Sequence, residues 1–448
     1  MKKFIILLST LTIFLYFFWS TGIPLGNVIL PFSLILTYFI LFLFSTKFKQ
    51  FINVIFKIIK ETPLKYLLLF ILWGILSSFF LVVKHDSLLI SFRIIRDYFL
   101  FVFPILLLPS FLMPQYLTLK KFTKIILIIY TFVITYGLID YIIQLLFPAF
   151  HIVLYKLICS GVKLDISTLK RASSIFFEPT FFATFIFVFL PFLYNLQKTP
   201  FIIFGIKNAI NYIIILSWIA LFLTKSPMYI LFAIIYTVIY SRKKKKFLIY
   251  ISVILIFFFS CNTLIKNAPV TQRIINTVNS LGSMQSLVYN EGSLATRIGL
   301  MYLSLQITKE HPFIGVGYAN SKSEMYDKIV NSKIPLTDEI IRNNFINDGL
   351  TISSIFFQTL CWNGIIGCCL LYMFLIKTLL IINKLKQRFD KTHYLILSGF
   401  ELMSVNYILC SIYWSLIADT MLWFIFGILT AFVFRYKKAN IVKIGAKE

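Results

Sequence analysis

Three short groups of charged and glycine residues stand out in an otherwise apolar chain, because their side chains are suited to binding a phosphate or moving a proton. The first group is Arg93, Arg96 and Asp97, which share one face if the segment is an α-helix. Ionisable groups at membrane depth are costly and require a partner or a water-filled cavity. One interpretation is an Arg93–Asp97 pair with Arg96 extended toward the head groups. The other is a diphosphate site at the outer membrane boundary.

The second group places Arg171 and Glu178 in one polar segment ahead of Pro179. A residue before proline is biased away from the α conformation, and proline suits the first turn of a helix. Glu178 is therefore expected at the mouth of a helix. A carboxylate there complements the helix dipole, and with a nearby arginine it also suits phosphate binding and proton abstraction.

The third group begins at Arg297 and continues with His311-Pro312, Gly315 and Gly317. Apolar residues recur around Arg297 at helical spacing, at Leu294, Ile298, Met301 and Leu305. This spacing predicts a surface helix that carries Arg297 and ends at Pro312, after which the glycines permit a tight backbone path. Gly-x-Gly alone is weakly specific, and His311 fits a helix-end or loop histidine better than a catalyst.

The composition identifies the elements that must position these groups as membrane helices. Of 448 residues, 59% are hydrophobic and 13% are charged, and the mean hydropathy is +0.88; soluble proteins carry about 25% charged residues. A soluble enzyme with one anchor is excluded. The 43 Lys and Arg exceed the 17 Asp and Glu, but they lie mostly between apolar runs. They are therefore interpreted as topology determinants, and no nucleic-acid partner is expected.

At about 20 residues per span, the apolar runs predict an all-α polytopic membrane protein with about 12 transmembrane helices. Basic residues concentrate in alternate short loops, which places both termini in the cytoplasm. Residues 1–448 form one integral membrane domain, with a first outer loop at 148–179 and a large outer, periplasmic loop at 262–350 that is expected to fold as a cap. The predicted spans are 4–20, 23–45, 64–83, 88–113, 122–147, 180–196, 208–223, 227–241, 247–261, 351–382, 393–412 and 414–434.

Motifs for nucleotides and metals are missing from the sequence. The six cysteines have no zinc-site spacing, and the chain contains no GxxxxGK[ST], HExxH, DxD or GxSxG pattern. We therefore predict no cofactor and no metal site. Any activity must use a substrate that was activated elsewhere and is already present on the outer leaflet.

The motifs together resemble those of the O-antigen polymerase (Wzy) and O-antigen ligase superfamily. The resemblance is carried by short segments within a matching topology: Arg171-Ala-Ser-Ser-Ile-Phe-Phe-Glu178-Pro179, Thr296-Arg297, His311-Pro312-Phe-Ile-Gly315-Val-Gly317 and Asn363-Gly364-Ile-Ile-Gly367. It implies a multi-pass glycosyltransferase of the bacterial inner membrane. Such an enzyme takes a glycan from an undecaprenyl diphosphate lipid and passes it to an acceptor hydroxyl, without a metal or nucleotide.

The resemblance also implies roles for individual residues. Arg171 and Arg297 correspond to arginines that bind the lipid diphosphate and glycan, which agrees with the match between arginine forks and phosphate oxygens. Glu178 is the candidate base or positioner of the acceptor hydroxyl. The substrate-binding candidates are Arg93, Arg96, His311, Gly315 and Gly317. Expected partners are the undecaprenyl-diphosphate-linked glycan, membrane lipid and a chain-length regulator.

The leading hypothesis is a polymerase that joins lipid-linked repeat units into the O antigen of lipopolysaccharide or into capsule. Ligases of the superfamily carry a histidine, then Asn, Ser or Gln, nine residues and Gly-x-x-Gly. Counting back from Gly364 places Ser353 where that histidine should stand, which favours a polymerase over a ligase. The alternative from another class is a flippase for the same lipid, but that function predicts charges within the spans and short loops. A purely structural membrane subunit gives no reason for Arg171, Glu178 and Arg297 to share the outer side.

Overall fold

The protein is a predominantly helical assembly in the computed structural model, which describes residues 2–17, 22–25, 28–45, 48–81, 95–113, 117–158, 171–174, 176, 179–197, 199, 209–241, 292–331, 352, 354–413 and 420–436. The α-helices of these residues are α1 (Lys2–Phe17), α2 (Phe32–Phe44), α3 (Phe48–Glu61), α4 (Leu64–Leu81), α5 (Phe103–Leu112), α6 (Leu119–Leu146), α7 (Pro148–Ile158), α8 (Pro179–Leu196), α9 (Ala209–Leu223), α10 (Pro227–Ser241), α11 (Gly292–Glu310), α12 (Gly317–Asn331), α13 (Ile355–Lys386), α14 (Lys391–Tyr413) and α15 (Thr420–Tyr436). A π-helix, Ile95–Val102, precedes α5.

Several helices begin where the sequence supplies a suitable first residue or cap. Proline is the first residue of α7, α8 and α10, at Pro148, Pro179 and Pro227. Its missing N–H has no partner to lose in a first turn. Thr118 caps α6 and Ser354 caps α13, each by accepting a backbone N–H three residues ahead. The predicted helix start at Pro179 is confirmed.

One predicted span is wrong in its first part. The apolar run 23–45 was expected to form one helix, but it opens as an antiparallel hairpin of β1 (Gly22–Leu25) and β2 (Val28–Pro31). Only the 13 residues of α2 are helical. Glycine and proline punctuate this run, and both disfavour a helix interior. A prediction from hydropathy alone does not detect these helix-breaking residues, and it therefore treated the run as one continuous helix.

Within the described part of the chain, four helices have the length and composition to cross a membrane: Leu119–Leu146, Pro179–Leu196, Ile355–Lys386 and Lys391–Ser411. Shorter apolar helices lie at Lys3–Tyr16, Phe32–Phe44, Leu64–Ser78, Tyr98–Leu112, Ala209–Leu223 and Leu422–Tyr436. The chain is therefore a multi-pass helical membrane protein. The predicted span 247–261 lies outside the described residues, and so does much of the 262–350 loop.

The centre of the assembly is formed by α8, which packs against α9, α10 and α14. All of its aromatic side chains except Phe181 are buried, and the ring centroids of Phe192 and of Phe400 on α14 are 4.8 Å apart. A second layer forms where α15 packs against α5 and α13. The third contact that matters for the site is α13 against α4, with α11 and α12 packed alongside.

Several helix ends that carry lysines lie together at one end of the assembly, which we name the basic end and define by Lys120, Lys386 and Lys391. The Asn195 side chain, at the end of α8, donates to the Leu395 carbonyl near the start of α14 at 2.6 Å. Asp390 caps α14 by accepting the His393 N–H at 3.0 Å. Partial burial acts to raise the pKa of Asp390, but the His393 hydrogen bonds and the charges of His393 and Lys120 hold it below its usual range. Lys120 at the start of α6 and Asp390 at the start of α14 therefore lie close together here.

Candidate functional site

The most distinctive feature of the structure is a loop that docks against an interrupted membrane helix. Helix α13 is broken at Gly364, where φ is 64° and ψ is −168°. The loop between α11 and α12 packs at this break. The Val316 N–H donates to the Cys361 carbonyl at 2.9 Å, and the Ile365 N–H donates to the Pro312 carbonyl at 2.8 Å. Backbone groups freed by the break are thus bonded to the loop, as a membrane protein requires.

Both sides of this contact depend on glycine. Gly315 has φ of +74°, and a Cβ there would lie 2.5 Å from the Trp362 carbonyl carbon. A Cβ on Gly364 would lie 2.3 Å from the Phe313 carbonyl oxygen. Real Cβ atoms do not approach backbone this closely, and the positive φ adds strain for any other residue. The two glycine motifs singled out in the sequence therefore meet in space.

Helix α4 completes the junction. The indole N–H of Trp73 donates to the Asn363 carbonyl at 2.9 Å. The Ser77 hydroxyl donates to the Asn363 side-chain oxygen at 3.2 Å. Gly317, with φ of +70°, starts α12 so close to α4 that a Cβ would lie 3.2 Å from the Ser78 Cα. We name the contact of loop 311–317, residues 361–367 and residues 73–78 the glycine junction.

The glycine junction reaches the surface through apolar side chains. Phe313 is 65% exposed, and on the helix beside it Ile365 is 45% exposed. Large exposed apolar groups on a membrane protein are suited to contact with lipid chains. Backbone polar groups and an apolar surface thus lie within a few residues of each other.

Arg171 is held by a different part of the structure, the turn between α9 and α10. Its Nε donates to the Thr224 carbonyl at 2.9 Å, and its Nη2 lies 3.3 Å from the Ser226 hydroxyl. Lys225, between them, has φ of +51°. The Arg171 side chain is half-buried. These bonds to the turn fix the orientation of the guanidinium.

Arg297 lies on α11, half-buried, and the predicted helix ending before Pro312 is confirmed. The predicted apolar face is not the buried side: Leu305 is 42% exposed, and Ile298 and Met301 are half-buried. The side that is buried against α12 and α13 combines apolar residues with small polar ones: Leu300, Leu303, Ile307, Thr296, Ser304 and Thr308.

His311 is half-buried at the end of α11, and two carboxylates stand beside it. The ligand atoms of Glu310, His311 and Glu324 all lie within 4.8 Å of one another, so these residues have the donors to hold a metal ion. Lys328 forms an ion pair with Glu310. The lysine ammonium therefore supplies a positive charge to this cluster of carboxylates beside the glycine junction.

The remaining predicted site residues are only partly described. Glu178 and Arg93 lie outside the described residues. Arg96 belongs to the π-helix Ile95–Val102, whose wider turn differs from the α-helical spacing used to place Arg93, Arg96 and Asp97 on one face. The structure brings His311, Gly315 and Gly317 together, while Arg171 is positioned by other elements.

Sequence reasoning missed a buried polar group beside Arg171. Asp140 and Gln144 on α6 and His151 on α7 are all buried, and Gln144 donates to the Arg171 carbonyl at 3.2 Å. The signal was present, since Asp140 is an acid within an apolar run that was counted as a span. The contribution of Trp73 to the site was also missed, because the sequence around a tryptophan in an apolar helix does not indicate which distant residue its indole N–H will bond.

Comparison with known protein families agrees with these motifs. Residues 212–372 match the family model described as O-antigen ligase. The matched region contains Arg297, the 311–317 loop and the Asn363–Gly367 segment, and it ends before the last two helices. Arg171 and Glu178 precede it. No curated protein matches the chain.

Proposed function

Since residues 212–372 match the family model described as O-antigen ligase, we propose that the chain is a membrane glycosyltransferase of the O-antigen ligase and polymerase superfamily, acting on lipid-linked glycans. The observation that carries the proposal is the family match over residues 212–372, within which the two glycine motifs pack on each other. The match lends no support to a flippase. A metal-independent transfer from undecaprenyl diphosphate is the reaction that this proposal adopts.

Within this reaction, Arg171 and Arg297 neutralise the departing diphosphate. The charge that develops on a leaving diphosphate is stabilised by fixed guanidinium groups. The bonds from Arg171 to the Thr224 carbonyl and Ser226 hydroxyl support its part of the proposal, because they fix the guanidinium before substrate arrives. Glu178 is proposed as the base or positioner of the acceptor hydroxyl.

The glycine junction is the proposed contact for the lipid. The exposed side chains of Phe313 and Ile365 offer an apolar surface to the polyprenyl chain. His311, Gly315 and Gly317 then lie where the diphosphate end of the lipid would approach. Arg93 and Arg96 are proposed as further diphosphate contacts at the outer boundary.

We propose a polymerase rather than a ligase. The support for this choice is the position of Ser353, which stands where the ligase pattern has its histidine. A serine has no group that titrates near neutral pH, so it does not replace the ligase histidine as a proton acceptor. The products are then O antigen or capsule, with a chain-length regulator as partner. The ligase is the alternative that the family match keeps open.

Purified full-length protein given undecaprenyl-diphosphate-linked repeat units as its sole substrate tests the branch. A polymerase builds longer lipid-linked chains without lipid A core. A strict requirement for lipid A core, with transfer of preformed polymer, identifies a ligase instead. Glu178→Gln removes chain growth if the carboxylate acts as base, and full activity in that variant assigns Glu178 a structural role.

The proposed topology has about 12 spans, both termini in the cytoplasm and residues 262–350 outside the inner membrane. Its support is the distribution of Lys and Arg among the short loops. Reporter fusions after Lys244 and Asn279 should report opposite sides of the membrane. Finding both on one side contradicts the proposed span count.

A further inference from the structure

Three buried polar side chains form a connected group at the end of α6, away from the basic end. Asp140 is 3% exposed, Gln144 is 7% exposed and His151, from α7, is 2% exposed. The His151 Nε2 lies 3.2 Å from one Asp140 carboxylate oxygen. The Gln144 amide donates to the other carboxylate oxygen at 3.2 Å. The carboxylate therefore links the two helices.

The same Gln144 amide nitrogen also reaches the Arg171 backbone. It lies 3.2 Å from the Arg171 carbonyl oxygen, and an amide NH₂ has two hydrogens to donate. One hydrogen can thus bond the Asp140 carboxylate while the other bonds Arg171. Asp140 thus fixes the orientation of the Gln144 amide, and the His151 ring lies against the other oxygen of the same carboxylate.

Two further bonds fix the segment that follows Arg171. The Ala172 N–H donates to the Leu223 carbonyl at 2.9 Å, and the Ser174 hydroxyl donates to the Val133 carbonyl at 2.8 Å. Gly137 makes room for this path, because a Cβ there would lie 3.0 Å from the Ser174 Cβ. The peptide unit that follows Arg171 is therefore held through its carbonyl oxygen by Gln144 and through its N–H by the Leu223 carbonyl.

Burial of an ionisable pair is a poor way to gain stability. Apolar side chains of similar volume often stabilise a protein as well or better, and ionisable groups within membrane helices usually mark function. His151 is too deeply buried to contact a substrate directly. A role in positioning another residue accounts for both observations.

We propose that Asp140, Gln144 and His151 are positioning residues that hold Arg171 in place for binding the diphosphate of the lipid substrate. The inference rests on the role proposed above for Arg171. Gln144 acts directly on the Arg171 backbone, whereas Asp140 and His151 act through the orientation of the Gln144 amide.

The test measures binding of undecaprenyl diphosphate to the purified full-length protein, together with its thermal stability. Gln144→Leu removes the donor to Arg171 and should weaken binding about tenfold. Tyr130→Phe is the matched control, because it removes a buried hydrogen bond of 2.8 Å from the same helix to Ser217. The control should lower stability to a similar degree and leave binding unchanged. Equal binding by Gln144→Leu and wild type overturns the proposal.

Asp140 gives a second pair of variants in case Gln144→Leu folds poorly. An asparagine at this position can accept from Gln144 and donate to His151, so Asp140→Asn should retain most binding. Asp140→Leu can do neither and should behave as Gln144→Leu. If both Asp140 variants bind alike, the positioning role is refuted.

Arg171→Ala separates this inference from the function on which it rests. Weak binding by Arg171→Ala with normal binding by Gln144→Leu refutes the positioning role and retains the role of Arg171. Normal binding by Arg171→Ala refutes both. In the Arg171→Ala background, Gln144→Leu should cause no additional loss, since the group it positions is already absent.

Discussion

Replacing Gly364 by alanine should disrupt the glycine junction more than any other single methyl addition there. The added Cβ would lie 2.3 Å from the Phe313 carbonyl oxygen and 2.4 Å from its carbon. Both are backbone atoms that cannot rotate away. The backbone angles of Gly364, φ 64° and ψ −168°, belong to a region used almost only by glycine; such a conformation costs about 1–3 kcal/mol for other residues.

To relieve the clash, the loop must move away from the new Cβ. This movement would weaken the two backbone hydrogen bonds that join the loop to the break in α13, from Val316 to Cys361 and from Ile365 to Pro312. Each is worth about 0.5–1.5 kcal/mol, and more when its partner is left unpaired in an apolar environment. Together with the backbone strain, the expected loss is roughly 2–6 kcal/mol. A loss of that size is large beside the marginal stability of most proteins.

The assay compares the thermal unfolding of detergent-purified Gly364→Ala with wild type and with Ile366→Ala. Ile366 lies two residues further along α13 and is 37% exposed, so its truncation tests the same helix without the clash. We expect Gly364→Ala to lower the unfolding temperature markedly and to abolish chain growth in cells, while Ile366→Ala stays near wild type. A Gly364→Ala protein as stable and as active as wild type would refute the reasoning.

Three other predictions concern charged groups. Arg171→Lys should restore little of the activity lost in Arg171→Ala, because one ammonium cannot span the Thr224 carbonyl and Ser226 hydroxyl as the guanidinium does; full rescue in a chain-length assay would contradict this. The partly buried Lys386–Glu401 pair should show strong coupling, so that Lys386→Met costs about 3 kcal/mol and adding Glu401→Leu recovers most of it, as measured by the unfolding temperatures of a double-mutant cycle. Because the pKa of Asp390 is lower in the folded protein than its unfolded value near 3.8, the ionised carboxylate contributes stability above pH 3.8, and this contribution is lost as the pH falls through the folded pKa. Asp390→Asn keeps the helix cap without the charge, so the variant should lose less stability than wild type on acidification from about pH 5 to pH 3.

The helices themselves were predictable because membrane helices leave a strong local signal. Apolar runs and helix-starting prolines such as Pro179 located most of the described helices. The hairpin before α2 escaped prediction because its apolar residues satisfied the hydropathy criterion, although Pro24 and Pro31 marked the change. Local composition predicts helices well, but it predicts their interruptions poorly.

The spacing located α11 but not the side of it that is buried. Leu305 belongs to the predicted apolar face and is exposed, whereas Leu300, Leu303 and Ile307 on another side are buried. Because apolar residues occur on more than one side of this helix, its packing against α12 and α13 decides which side is buried, and the local spacing does not show that packing.

The candidate site was predictable as a set of residues and not as an arrangement. His311, Gly315 and Gly317 were singled out from the sequence, and Asn363–Gly367 entered only through the resemblance. Nothing local indicates that Ile365 gives its N–H to Pro312, a residue more than fifty positions away. Likewise, the pairing of Asp140 with His151 depends on the path by which α7 folds back on α6.

The geometry of the glycine junction explains why its two motifs belong together. A broken membrane helix leaves carbonyl and N–H groups without helical partners, and in an apolar environment each such group must find another bond. The loop supplies the Val316 N–H and the Pro312 carbonyl only by approaching the helix so closely that neither backbone can carry a Cβ at the crossing. Glycine at 315 is therefore required by the helix, and glycine at 364 by the loop. Neither motif fulfils its structural requirement without the other, so the break in α13 and the docking of the loop form as one unit.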